Sequence, residues 1–89
     1  MMRLNENFVL REIYDVYLLI PIKKNSISND VVSLNKTSAL IFKECSKFED
    51  VHELVENLIR IFNVENDSSI EKELTLYIQE MINQGLIVY

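Results

Sequence analysis

The 89 residues carry a formal net charge of −5, with 48% hydrophobic and 26% charged side chains. A chain of this length holds one domain, 1–89, with a modest core, and its single glycine and single proline exclude a long low-complexity segment. The negative balance speaks against a phosphate-backbone partner, which calls for clustered Lys and Arg. One cysteine, Cys45, excludes an intrachain disulfide; its place in the apolar run ALIFKEC predicts a core position. No run approaches the roughly 18 apolar residues that span a bilayer, and MMRLNENF lacks the apolar centre of a secretory signal. A cytoplasmic location without membrane association is the resulting expectation.

In chain order, Phe8 to Ile22 alternates with period two: Phe8, Leu10 and Glu12 against Val9 and Arg11, then Val16, Leu18, Ile20 and Ile22 against Tyr17 and Leu19. Two strands joined near Tyr14–Asp15 are predicted, with Pro21 near the end of the second because it has no ladder donor. Lys23 to Asn29 reads as a turn, its Lys23–Lys24 doublet solvated, leading into a third strand over Asp30 to Leu34. Asn35 suits an N-cap for a helix from about Lys36 to Ser46, with Leu40, Ile41 and Cys45 on its apolar face and Ala39 and Phe42 beside them. Asp50 and Glu53 form a capping-box pattern for a second helix, on which Val51, Leu54, Val55, Leu58 and Phe62 recur at helical spacing. Asn63 to Asp67 breaks that period. Ser68 with Glu71 starts a third helix through about Gln84, with Ile70, Leu74, Tyr77, Ile78 and Met81 as its core stripe. Gly85 stands where a helix end wants a left-handed residue, and LIVY after it is an apolar tail expected to pack back.

Catalytic chemistry finds little to hold. His52 falls in the first turn of the second helix beside Asp50 and Glu53, where a solvated role is expected, and a metal site lacks a second imidazole. Glu65 and Asp67, or Glu71 and Glu73, are explained by favourable interaction with helix N-termini. The sequence has no glycine-rich phosphate loop and no nucleophile with a local base, so neither enzymatic activity nor a cofactor is expected. An open sheet edge, by contrast, can receive another extended chain, and DVVSL is the natural candidate, with no Lys or Pro inside it. Leu76 lies off the third helix's core stripe, on the side of Glu73, Glu80 and Asn83, and suggests a groove beside that edge.

The succession LNENFVLREI, an apolar second strand, VVSLNKTSALIFKEC, the capped helix EDVHELVENLIRIFNV and a closing INQGLIVY resembles the PqqD-like proteins, also called RiPP recognition elements. The most specific parts are the SLNKTSALIF junction, the acidic-capped helix and the Gly-Leu-Ile near the end. The resemblance covers essentially the whole chain, departing in the FNVENDSS region and in acidity. It implies an α+β, winged helix-turn-helix-like fold of three antiparallel strands followed by three helices. It also implies binding of the leader segment of a ribosomally synthesised precursor by β-strand addition, and presentation of that precursor to a modifying or processing enzyme. Carried over, Val31, Val32, Ser33 and Leu34 supply the edge, and Lys72, Leu76, Tyr77 and Glu80 the groove wall. A radical enzyme, a leader protease and a cyclase are all compatible partners, as are quinone-cofactor, lasso and thioether-bridged products. The acidity suggests a leader with Lys or Arg near its docking segment.

Two other classes remain open. A winged-helix DNA-binding domain has the same inventory of elements, but Glu71, Glu73 and Glu80 against Lys72 on its recognition helix would repel phosphate. A structural adaptor would dock on an enzyme without touching a peptide, and the same edge could pair two copies, so a monomer or a weak edge-strand dimer is expected. Val32→Pro, by deleting an edge donor, is expected to weaken leader binding while the fold survives.

Overall fold

The computed structural model describes residues 1–22, 27, 29–65 and 68–89. In chain order it contains β1 (Arg3–Leu4), β2 (Phe8–Ile13), β3 (Val16–Pro21), β4 (Val32–Leu34), α1 (Lys36–Glu44), a 3-10 turn (Cys45–Lys47), α2 (Val51–Phe62), α3 (Ser68–Asn83) and β5 (Ile87–Val88). A three-stranded antiparallel sheet in the order β2-β3-β4 therefore precedes three helices, the expected α+β succession. The expected Lys23–Asn29 turn lies outside the described residues except for Ile27 and Asn29, and so does Asp67, which precedes the first residue of α3.

The β2–β3 register runs from Ile13↔Val16 to Phe8↔Pro21 and closes on the two-residue turn Tyr14–Asp15. Tyr14 stands there at φ 56° and is 94% exposed, a left-handed conformation that costs a residue with a Cβ. Both faces of the hairpin are apolar in sequence, and the helices decide between them. Phe8, Leu10, Tyr17 and Leu19 share the face covered by helices, with Phe8 and Leu19 buried. On the opposite face Val9, Leu18 and Ile20 are half-buried, and Ile13 and Val16 are exposed.

The starts of α1 and α2 follow their sequence signals, whereas Ser68, expected to cap the third helix, is its first residue. Asn35 is extended at φ −74° and its Oδ1 accepts from Ser38 N–H at 2.7 Å; Asp50 Oδ1 accepts from Glu53 N–H at 2.9 Å. Asn63, at φ 53°, ends α2 in the left-handed region, and Gly85, at φ 80°, follows α3. The first helix is shorter than expected, because Cys45–Lys47 tightens into the 3-10 turn. The amphipathic second helix buries Leu54, Val55, Leu58 and Ile59 against Ile41, Cys45, Ile78 and Met81. Cys45 is fully buried, and desolvation pushes its thiol above the ordinary range, partly offset by hydrogen bonds with the backbone of Cys45 and Ser46.

The LIVY tail packs back as a strand. Arg3↔Val88 and Leu4↔Ile87 pair in a second, two-stranded sheet, and Asn5 N–H donates to Leu86 O at 2.8 Å while its side-chain amide donates to Gly85 O at 2.9 Å. This clasp buries Met2 and Ile87 completely or nearly so. Asn5 also turns the chain into β2, its Oδ1 accepting from Asn7 N–H at 2.9 Å.

Candidate functional site

The third strand of the main sheet is shorter than its sequence suggested: Asp30 and Val31 precede it, and β4 begins at Val32. It lies at the sheet edge and pairs with β3 as Tyr17↔Leu34, Leu18↔Ser33 and Leu19↔Val32. Side chains alternate across a strand, so Val32 and Leu34 share the helix-covered face with Leu19 and Tyr17, and Ser33 faces the other way.

The backbone has its own alternation, and the hairpin sets its phase. Ile22 N–H donates to Asn7 O at 2.9 Å, so the even-numbered residues of β3 bond to β2. Pro21, Leu19 and Tyr17 therefore turn their backbone groups toward β4. Leu19↔Val32 and Tyr17↔Leu34 are the hydrogen-bonded pairs, and the N–H and C=O of Ser33 point to the open edge. Carried back two residues, the same phase points those of Val31 outward. The edge thus offers Ser33, and with it Val31, while Val32 and Leu34 are committed to the sheet. Val32→Pro would accordingly break the sheet itself; Ser33→Pro is the substitution that removes a free donor.

Beside β4 runs a groove roofed by α3. Its first pocket, of about 330 Å³, is lined by Leu19, Ile27, Val32, Leu34, Ser38, Phe42, Tyr77, Glu80, Met81, Gln84 and Leu86. A second pocket of about 630 Å³ lies between the start of α1, the end of α2 and the first half of α3, and is lined by Thr37, Phe62, Val64, Ile70, Glu73, Leu74 and Tyr77. Tyr77 belongs to both, and its hydroxyl hydrogen-bonds the hydroxyl of the buried Ser38 on α1, which fixes the ring between them. At the far end Ile27 lies against Gly85, where an added Cβ would stand 3.2 Å from Ile27 Cδ1.

Of the residues the sequence nominated, Val32, Leu34, Tyr77 and Glu80 meet in the first pocket. Val31 and Ser33 are exposed on the edge. Leu76 is 59% exposed and lines neither pocket; at about 100° per residue it stands some 40° outside Glu80, on the outer shoulder of α3. Lys72 is exposed and turned about 40° further round the helix. Sequence reasoning missed Thr37, Phe62, Val64 and Ser38 as groove residues. Val64, 45% exposed, was hidden in the segment that breaks helical periodicity.

Elsewhere, His52 is a surface residue, its Nε2 2.9 Å from Glu56 Oε1 and its Nδ1 3.9 Å from Glu71 across to α3. Among the described residues no group of three or more His, Cys, Asp or Glu is placed to hold a metal ion, and no helix is long and apolar enough to cross a membrane.

No curated protein and no solved structure matches the chain significantly. The family described as coenzyme PQQ synthesis protein D, PqqD, matches residues 17–87, which run from β3 into β5 and include the edge strand, both pockets and all three helices. With well over half of its length matched, the chain belongs to the PqqD family.

Proposed function

We propose that this protein captures the leader segment of a ribosomally synthesised precursor as an added strand on β4 and presents the precursor to a modifying or processing enzyme. Membership of the PqqD family implies a non-catalytic accessory role in peptide-modification biosynthesis, with a precursor peptide and biosynthetic enzymes as partners. The observation that carries the strand-addition reading is the phase of β4. Its free backbone groups, at Ser33, face the open edge, and its apolar side chains, Val32 and Leu34, line the adjacent groove. Backbone pairing holds an extended segment with little regard to sequence, and alternate leader side chains entering the groove select among segments. β2 is the sheet's other edge, but it does not border the groove under α3. Ordering a disordered leader offsets part of the contact energy, so an affinity between nanomolar and micromolar, about −8 to −12 kcal/mol, is expected.

The test is a heteronuclear NMR titration of the labelled protein with leader peptides encoded beside its gene. Shifts concentrated on residues 31–34 and on α3 support the reading. A folded sample that shows no shift with any of these peptides removes it.

A second surface suits the enzyme rather than the peptide. The outer face of the β2–β3 hairpin presents Ile13, Val16, Leu18 and Ile20 opposite the helix-covered face, which fits the docking required of an adaptor. Charged substitutions at Val16 and Ile20 are expected to weaken enzyme association and leave leader affinity unchanged.

A further inference from the structure

The pocket between α1, α2 and the first half of α3 is larger than the one beside β4, and strand addition leaves it unused. Its walls are largely apolar: Phe62, Val64, Ile70 and Leu74, with Tyr77 shared with the neighbouring pocket. The two pockets therefore adjoin at that ring. The charged side chains lining them, among the described residues, are Glu73 in one and Glu80 in the other, both exposed and both acidic.

The separation of the pockets follows from α3. One pocket takes its helical lining from Ile70 to Tyr77 and the other from Tyr77 to Gln84. Their midpoints are about seven residues apart, roughly 10 Å at 1.5 Å per residue. An extended peptide covers that in about three residues at 3.3 Å each. Since β4 ends at Leu34, a peptide entering the second pocket has left the paired segment, and strict two-residue alternation no longer governs which way its side chains point.

We propose that this second pocket is a specificity site that seats one apolar side chain of the leader, three or four residues from an apolar side chain that enters the pocket beside β4, with a Lys or Arg of the leader beside Glu73. The inference rests on the leader-binding reading and adds to it a composition: two apolar anchors at fixed spacing and a basic flank. The shared Tyr77 and the one acidic side chain in each pocket assign both to the same peptide rather than the second to a separate partner.

The experiment is calorimetric titration of the synthetic leader segment of the precursor encoded beside the gene, with each apolar and each basic residue replaced by Ser in turn, against the wild-type protein, Val64→Ser and Glu73→Lys. Val64 and Glu73 are exposed, so both variants are expected to fold. Two apolar leader positions, three or four residues apart, should each cost at least tenfold in affinity. One of the two should lose its effect in Val64→Ser, and one basic position should lose its effect in Glu73→Lys. Unchanged leader affinity in both variants, with affinity still lost in Ser33→Pro, overturns the second site and leaves strand addition standing. A leader that binds none of the proteins overturns both. A change in self-association of Val64→Ser by sedimentation, without a change in leader affinity, assigns the pocket to a second copy of the chain and also overturns the proposal.

Discussion

Proline substitution at two adjacent positions of β4 separates the sheet from its open edge. Ser33 N–H has no partner within the sheet in the deduced phase, whereas Val32 N–H bonds to β3 opposite Leu19. Ser33→Pro should therefore leave the fold intact, since edge positions with outward N–H groups tolerate proline. In the complex it removes one donor and strands the leader carbonyl that donor would meet. A net hydrogen bond contributes about 1 kcal/mol and an unsatisfied buried carbonyl costs about 1–3 kcal/mol. Leader affinity should thus fall roughly five- to 150-fold. Val32→Pro removes a sheet hydrogen bond and the packing of a groove side chain, and should lower folding stability by about 2 kcal/mol or more. Calorimetric titration with the leader and urea denaturation of the free proteins measure the two effects. If Ser33→Pro binds leader as tightly as wild type, strand addition at this edge is refuted. If Ser33→Pro unfolds the protein while Val32→Pro does not, the deduced hydrogen-bond phase is refuted.

Three further outcomes are expected. Tyr14→Gly relieves the left-handed strain at the hairpin turn and should raise stability by up to about 1 kcal/mol, read as a higher denaturation midpoint. Tyr77→Phe leaves the buried Ser38 hydroxyl without its partner on α3 and should cost about 1 kcal/mol in the same assay, with the fold retained. Burial raises the Cys45 thiol in the folded protein above its value of about 9 in the unfolded chain, so the unfolded chain ionises first. That contribution to stability is complete below about pH 9 and is lost as pH rises through the folded value. Denaturation midpoints from pH 7 to 10 should decline more steeply for wild type than for Cys45→Ala.

Local chemistry was legible in the sequence because its signals are short-ranged. Asn35 and Asp50 cap helices through bonds to amides three residues on, Gly85 takes the positive φ that follows a helix, and the turn at Tyr14–Asp15 follows from two adjacent period-two runs. Together these determined the order of three strands and three helices, and the edge segment could be named before any contact was known. Tertiary structure alone decided which face of an apolar hairpin is covered, because Leu18 and Leu19 are equally apolar and only packing against the helices distinguishes them. It also decided the pairing of β1 with β5, two-residue strands too short for a periodic signal and joined from opposite ends of the chain. The second pocket was hidden for the same reason: Thr37, Phe62 and Leu74 lie on three elements, and no spacing along the chain encodes a cavity that exists only where those elements meet. The sequence by itself thus determined the strands of the main sheet, the helices and the segment at the sheet edge, and long-range packing decided which face of that sheet is covered and how the chain ends pair.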